Sequence, residues 1–417
     1  VEKVTATIIT IGDELLIGQT IDTNSAWMAQ HLNAVGIWVQ RRVAVGDSVE
    51  AIVQALNEES QTTNIILITG GLGPTADDIT KPTLCKYFGG RLVEHQPTKE
   101  RITALFASRG LPTLDRNMAQ AMVPDVCTVI DNMRGTAPGM WFDKDGKVFV
   151  SMPGVPFEMK GMMEDSVIPK LVERFNPPGL LHQTLLTAGM GESFVAERLV
   201  DFEAGLPGTI KLAYLPSFGL LKLRLTANGK NREEAKRDLD LQFEQLKALL
   251  EDITVAEEDI PMSEVIAKLM LARGTTVGTA ESCTGGGIAA AITSLSGSST
   301  YFKGGIVSYA NEIKQNVLGV KEETLAQFGA VSEETVREMV AGALKVLNTD
   351  YIMAVSGIMG PNGGSEDKPV GTVWIASGDK NRIVAVKHHM RYDRKRNIAL
   401  TINAAMNQLK KFIEGKI

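Results

Sequence analysis

Thr275-Thr276-Val277-Gly278-Thr279-Ala280-Glu281-Ser282-Cys283-Thr284-Gly285-Gly286-Gly287-Ile288-Ala289-Ala290-Ala291-Ile292 passes from a buried strand, through a glycine-rich turn, into a helix. Thr275 to Ala280 reads as the strand and Gly287 to Ile292 as the helix. A serine where a strand meets a helix N-terminus is a natural seat for a nucleophile. The first N–H groups of that helix lack intrahelical partners and can hold the oxyanion that forms on attack. The same position is equally the ordinary seat of an N-cap serine, worth roughly 1 kcal/mol.

Around this stretch the chain alternates strands and helices. Met262 to Ala272 opens a C-terminal α/β domain over 260–417. Its further helices are expected near 286–295, 332–347 and 394–413, and its strands near 275–280, 302–309, 351–356, 370–376 and 382–388. The N-terminal part has the same rhythm. Strands at 6–12, 38–45 and 64–69 alternate with helices at 25–35 and 48–59, which predicts a mostly parallel sheet covered by helices. Asp143-Lys144-Asp145-Gly146 reads as a hairpin turn, and a helix over Pro156 to Phe175 closes a domain spanning 1–175. Pro177-Pro178-Gly179 and Asp259-Ile260-Pro261 bracket a small α+β, KH-like linker or dimerisation module over 180–255. The fold class is therefore α/β: two α/β sandwich domains with mostly parallel sheets, linked by a small α+β module.

Bulk composition excludes several classes of function. The 417 residues are too many for one ordinary core. A net charge of −6 gives no global electrostatic case for nucleic acid or an anionic membrane. The middle module carries nine Lys/Arg against eleven Asp/Glu over 180–252, not the surplus of base a nucleic-acid module needs. Cys85, Cys127 and Cys283 are far apart and odd in number, so neither a disulfide framework nor a zinc spacing is present. With no apolar run long enough to span a bilayer and no leader before the first strand, a soluble cytoplasmic protein is expected. His31, His95, His182, His388 and His389 show no ligand spacing.

Gly304-Gly305-Ile306-Val307-Ser308-Tyr309-Ala310-Asn311-Glu312-Ile313-Lys314 adds weight to Ser282. A glycine-led strand delivers Tyr309 at its end, Asn311 can cap the next helix, and Lys314 falls in that helix's first turn. There the macrodipole disfavours the charged amine, and burial would disfavour it further. A neutral lysine is what a Ser–Lys nucleophile requires. On the residues alone, a solvated Lys314 and a core Tyr309 are the readier account.

Glu281-Ser282-Cys283-Thr284-Gly285-Gly286, Tyr309 with Lys314, Gly329-Ala330-Val331-Ser332, Ser356 to Gly364, and Lys368-Pro369-Val370-Gly371-Thr372-Val373 occur in order. Together they resemble the nicotinamide mononucleotide deamidase domain of the CinA family over essentially all of 260–417. The resemblance implies Ser282 as nucleophile with Tyr309 and Lys314 assisting: attack on the carboxamide, loss of ammonia and hydrolysis of the acyl-enzyme, with no cofactor. N–H groups around Cys283, Thr284 and Gly285 would form the oxyanion hole. Cys283 is intrinsically the better nucleophile and competes with Ser282, although no histidine lies nearby to form a thiolate pair. Gly357, Gly360, Gly363 and Gly364 follow a strand where α/β sheets place ligand loops. Met359 replaces the small residue usual in the family, which would reshape the pocket. Arg394 and Arg396 open the last helix, a place to bind the mononucleotide phosphate.

Thr69-Gly70-Gly71-Leu72-Gly73-Pro74-Thr75-Ala76-Asp77-Asp78 follows the third strand. Its glycines let the backbone approach a phosphate, and two adjacent carboxylates can hold a divalent cation or simply start a helix. With Gly12 to Gly18, Asp22-Thr23-Asn24 and Pro153-Gly154-Val155-Pro156-Phe157-Glu158-Met159, it resembles the molybdopterin-binding-like domain at the N-terminus of CinA proteins over roughly 4–170. That resemblance implies metal-dependent hydrolysis of ADP-ribose to AMP and ribose 5-phosphate. Asp77, Asp78 and Glu158 would hold a divalent cation of unknown identity. Asn24, Gly70, Gly71, Gly73, Thr75, Lys81 and Gly154 would bind the nucleotide.

The expectation is a bifunctional pyridine-nucleotide salvage hydrolase acting on small nucleotides, without nucleic-acid or membrane partners, and a homodimer by fold analogy. One rival reading makes the N-terminal domain a pterin or nucleotide binding module without turnover. Another is an interaction protein, as the family's competence and DNA-damage name suggests.

Overall fold

Period-two alternation builds the first sheet. Ala6, Ile8, Ile65 and Leu67 face one hydrophobic core, while Ile9, Ile11, Ile66 and Ile68 face another. Strands buried on both faces suit a parallel sheet covered by helices. A computed structural model describes residues 4–75, 78–177, 180–228 and 232–417. The chain divides into two compact units, Val1–His182 with Thr226–Leu239 and Gln183–Leu225 with Asp240–Ile417.

In the first unit the sheet runs Trp38–Val45, Thr5–Ile11, Ile65–Thr69, Lys147–Met152, Gly139–Lys144, Thr128–Ile130. The first four strands are parallel and the last two antiparallel. Helices Thr23–Ala34 and Val49–Glu59 are capped by the side chains of Asp22 and Ser48, which accept from Ser25 and Ala51 N–H. The hairpin expected at Asp145-Gly146 is present, with both residues at positive φ (51° and 74°), as a two-residue turn between twisted strands demands. The closing helix is not uniform: Pro156–Met162 and Ile168–Phe175 are joined by a π-turn, Met163–Val167. Pro169 has no N–H for the ladder and crowds the preceding turn, and the widened turn absorbs the mismatch.

A four-stranded sheet runs Ile210–Ser217, Leu220–Asn228, Leu180–Ala188, Thr254–Ala256. The last strand, absent from the sequence reading, has three residues and pairs antiparallel with Leu180–Ala188. So short a run carries no readable period. The helix expected over 193–202 is broken into Glu192–Arg198 and Val200–Ala204.

The second unit also holds a five-stranded sheet, ordered Phe302–Val307, Val277–Glu281, Tyr351–Gly357, Thr372–Gly378, Ile383–His389. The first three strands are parallel and the last two antiparallel. Val277, Met353, Val355, Val373 and Ile375 face one core, and Ala280, Ile352, Ala354 and Ala376 the other. Helix Arg394–Ile413 covers the first face, and Glu333–Leu347, capped by Ser332, covers the second. Among the described residues no helix is long and apolar enough to cross a membrane.

Gly342, inside Glu333–Leu347, lets this helix touch the turn that follows the Lys314 helix. A Cβ at 342 would lie 1.8 Å from the Leu318 carbonyl oxygen. Helix propensity alone favours alanine over glycine by about 1 kcal/mol, yet overpacking against backbone costs about 1–3 kcal/mol. Gly342→Ala is expected to lower the melting temperature by several degrees, and thermal unfolding by circular dichroism checks it. An unchanged or raised midpoint would mean the two segments are not in this contact.

Candidate functional site

Strand pairing fixes Ser282 before any side chain is considered. Its N–H donates to the Val355 carbonyl at 3.0 Å, extending the central strand by one residue beyond Glu281. Gly285 and Gly286 follow at φ 61° and 94°, two successive left-handed residues that only glycine takes at little cost, and helix Gly287–Thr293 begins. Next door the strand Phe302–Val307 is stopped when Ser308 N–H donates to the Glu281 carbonyl at 2.7 Å. The chain then turns into a short helix, Asn311–Asn316, with Ala310 rather than Asn311 at its N-cap. This brings Lys314 beneath Ser282.

Lys314 is 1 % exposed. Its Nζ lies 2.6 Å from the Ser308 carbonyl oxygen, 3.2 Å from the Tyr309 carbonyl oxygen and 3.2 Å from Ser282 Oγ. Burial holds its pKa below the ordinary 10.5, with Cys283 the smaller, opposing influence. Carbonyl oxygens only accept, so a neutral amine spends both N–H groups on Ser308 and Tyr309. Its lone pair then faces the serine hydroxyl, which is the arrangement of a general base beside a nucleophile. Cys283 has the opposite character. It is buried in the core, and its thiol is pushed up to about 12, first by that burial and then by Glu281. A thiol in that state is a packing group rather than a nucleophile.

Glu281 is the residue that the sequence reading passed over. It is fully buried, and its carboxylate accepts from Thr284 Oγ1 at 2.6 Å, Ile288 N–H at 3.0 Å and Ala289 N–H at 2.8 Å. The only signal was an acidic residue ending a buried strand. This carboxylate takes the helix N–H groups that the sequence reading offered to an oxyanion. Gly285 N–H is committed as well, to the Ser282 carbonyl at 3.1 Å. Of the three expected donors, the N–H groups of Cys283 and Thr284 have no backbone acceptor among the described residues. The Thr284 hydroxyl serves the turn.

Tyr309 stands at the rim with its ring exposed, and its hydroxyl accepts from Arg394 Nη2 at 3.2 Å. Only its carbonyl touches Lys314. Arg394 Nη1 donates to the Gly360 carbonyl at 3.0 Å, joining Tyr309, the glycine loop and the last helix. In that loop, a Cβ at Gly357, Gly360 or Gly364 would press within 2.6–2.9 Å of Val370, Thr372 or Val373, so these glycines answer first to close packing. Gly363, at φ 92°, has room around it. Met359 lies in the hydrophobic core with its carbonyl held by Asn397, so it does not narrow the site. Arg396 is not brought to Ser282; its guanidinium lies 5.5 Å over the Tyr392 ring and it lines a cavity beside Phe218.

In the first unit a cavity of about 390 Å³ is lined by Gly70, Gly71, Gly73, Asp78, Gly154 and Glu158, as expected, together with Glu14, Asp47 and Gln120. Asp77 lies outside the described residues. Asp78 folds back on its own loop, accepting from Gly73 N–H at 2.7 Å and from Thr75 N–H and Oγ1 at 2.8 and 2.5 Å. Thr75 is thereby a loop-closing residue. Asn24 donates to the Gly154 carbonyl at 2.7 Å and braces the floor. Lys81 is not at the cavity: its buried amine donates to the Gln120 carbonyl at 3.0 Å, and desolvation lowers its pKa to about 8 against the pull of Asp78 and Cys127. Gln120, which no motif flagged, leaves its Oε1 buried without a partner among the described residues. Glu158 Oε2 accepts from Asn132 at 2.6 Å. By donor type, carboxylate oxygens fit a hard divalent cation. Among the described residues, no three His, Cys, Asp or Glu side chains cluster closely enough to hold one.

Three family models match the chain: a probable molybdopterin binding domain over 7–173, a damage-inducible protein CinA KH domain over 182–254 and a CinA C-terminal domain over 259–413. A CinA-like protein of Cytophaga hutchinsonii is 44% identical over 406 residues, covering 97% of both chains. A CinA-like protein of Flavobacterium psychrophilum is 44% identical over 410 residues, covering 98% of both. Among solved structures, a competence/damage inducible protein from Agrobacterium tumefaciens is 39% identical across 36% of this chain and 92% of its own, with a TM-score of 0.35.

Replacing the buried Glu281 tests whether it shapes the Ser282 turn. Glu281→Gln puts an amide N–H against a backbone N–H, an unmet pairing that costs about 1–3 kcal/mol. The expected outcome is a lower melting temperature and a tenfold or larger fall in turnover at the Ser282 site, with substrate affinity changed less. Full turnover in a folded variant would remove Glu281 from the account.

Proposed function

This chain belongs to the CinA family, and from that premise together with the geometry at Ser282 we propose that it is a bifunctional hydrolase of pyridine-nucleotide breakdown products. Its C-terminal domain deamidates nicotinamide mononucleotide to nicotinate mononucleotide and ammonia. The observation that supports this most directly is the buried Lys314 amine, held by two carbonyls with Ser282 Oγ in its third position.

In this reading Ser282 Oγ attacks the carboxamide carbon and its proton passes to Lys314 Nζ. The oxyanion is received by the N–H groups of Cys283 and Thr284. The carbon–nitrogen bond then breaks as Nζ returns the proton to departing ammonia. Water attacks the acyl-enzyme, giving its proton to Nζ, and the ester bond breaks with that proton restored to Oγ. Arg394, at the rim, faces the mononucleotide's phosphate, with Tyr309 orienting its guanidinium.

The N-terminal domain hydrolyses ADP-ribose to AMP and ribose 5-phosphate. Asp78 and Glu158 would hold a divalent cation, which supplies charge neutralisation at the diphosphate and an acidified water. The glycine backbone at 70–73 receives the phosphates, and Gln120 accepts a hydrogen bond from the nucleotide. One observation favours a second reading for this domain, a nucleotide- or pterin-binding module without turnover: the Asp78 carboxylate is already engaged by its own loop.

Ammonia release from nicotinamide mononucleotide by the full chain tests the first activity. Ser282→Ala is expected to abolish it by about a thousandfold or more, and Cys283→Ala to retain most of it; the reverse pattern would transfer the nucleophile to sulfur. Because the base must be neutral and its pKa is depressed by burial, kcat/KM should rise with pH through a value below 10.5 and level off above it. A profile that stays flat over the whole range below 10.5 would contradict a lysine base.

AMP formation from ADP-ribose with added manganese tests the second activity. Glu158→Gln is expected to reduce it at least tenfold while sparing ammonia release. No AMP from the unaltered chain would establish the binding-module reading.

A further inference from the structure

The second unit contains a cavity of about 760 Å³ that the deamidation scheme does not use. Its walls come from three places in the chain: the turn Gly189-Met190-Gly191 with Glu192, the one carboxylate of the lining, the hairpin tip Phe218-Gly219, and the entry to helix Arg394–Ile413 with Tyr392, Arg396 and Leu400. The tip is fastened to the helix. Asn403 Nδ2 donates to the Phe218 carbonyl at 3.0 Å, and the position of a Cβ at Gly219 lies 3.1 Å from the Leu400 side chain.

The chemistry of the walls is specific. Phe218 and Tyr392 present large exposed aromatic faces, 52 % and 57 % accessible. Arg396 lies over the Tyr392 ring at 5.5 Å, and no carboxylate among the described residues pairs with it. The helix entry, Arg391 to Arg396, carries four cationic residues against Asp393. One Asp393 oxygen is already committed to the Arg396 backbone N–H at 3.1 Å. Exposed rings beside an unpaired guanidinium suit a flat aromatic base joined to an anion, the guanidinium taking phosphate in a bidentate pair.

We propose that this cavity is a second nucleotide site, which takes a 5′-mononucleotide with its base against Phe218 and Tyr392 and its phosphate on Arg396. The site reports to deamidation through one turn of helix. Arg394, two residues before Arg396, holds both the Tyr309 hydroxyl and the Gly360 carbonyl. A ligand that engages Arg396 and Tyr392 fixes the turn from which Arg394 projects, and so changes turnover at Ser282 without occupying it. Binding here is independent of the deamidase proposal; only the effect on turnover rests on it.

AMP is the probe, with adenosine and inorganic phosphate as its two halves. Calorimetric titration of the full chain with AMP is expected to show a site that Arg396→Glu and Phe218→Ala each weaken at least tenfold and that Asn24→Ala, in the first unit, leaves intact. Adenosine and phosphate alone should bind at least tenfold more weakly than AMP. Ammonia release should respond to AMP even at saturating nicotinamide mononucleotide, and Arg396→Glu should remove the response. If AMP binding is lost only in Asn24→Ala, or if AMP merely competes with substrate and is indifferent to Arg396→Glu, the proposal is overturned. A chain that binds AMP through Arg396 but releases no ammonia would uphold the site and refute the deamidase reading.

Discussion

The C-terminal site is built around one amine, Lys314 Nζ, buried against Ser282 Oγ where its charged form is disfavoured. Burying an ammonium without a counter-ion is costly, by several kcal/mol even after relaxation, and the fold supplies Lys314 with carbonyls instead of a carboxylate. Those carbonyls, at Ser308 and Tyr309, are free because the strand Phe302–Val307 ends one residue earlier. The helix carrying Lys314 is only six residues long and could not stand alone. It is held from behind, where Val320 N–H donates to the Lys314 carbonyl and the Leu318 turn sits against Gly342. The amine is thus fixed by backbone packing, and among the described residues no carboxylate pairs with it.

Glu281 and Lys314 are buried ionisable groups flanking the same serine, and the fold satisfies each separately. Paired together, the carboxylate would keep the lysine protonated and remove its ability to take a proton. Helix Gly287–Thr293 prevents this by offering Ile288 and Ala289 N–H, with the Thr284 hydroxyl, to the carboxylate. The same bonds fasten the turn on which Ser282 sits. The N–H groups at that helix end are therefore spent on architecture.

Much of the fold was legible because its strands are buried on both faces and its helices are capped. The three N-terminal strands, the Asp145-Gly146 hairpin and the last helix all fall where period and turn chemistry put them. The π-turn before Pro169 and the three-residue strand Thr254–Ala256 were not legible, since neither changes the hydrophobic period. At the site, the burial of Lys314 follows from sequence only as a condition, and the fold supplies it. Arg394 and Arg396 show the limit most plainly. Two residues apart, they read as one phosphate cluster, yet about 200° of rotation about the helix axis sends Arg394 to Gly360 and Tyr309 and Arg396 to the cavity beside Phe218.

The two halves use one device with different outcomes. Each has a buried strand ending in glycines with a carboxylate close by, and in each the carboxylate turns inward to hold backbone N–H groups: Asp78 those of Gly73 and Thr75, Glu281 those of Ile288 and Ala289. An acidic residue beside a glycine loop is therefore first a clamp on that loop. What separates the two sites is the next side chain to arrive. Beneath Ser282 it is a lysine held by two carbonyls and set against the serine hydroxyl. In the first unit Lys81 is also buried but donates a hydrogen bond to the Gln120 carbonyl and does not line the cavity. The cavity of the first unit is therefore lined by carboxylates, Glu14, Asp47 and Glu158, with Gln120, and, among the described residues, by no lysine, whereas the Ser282 site holds a buried amine.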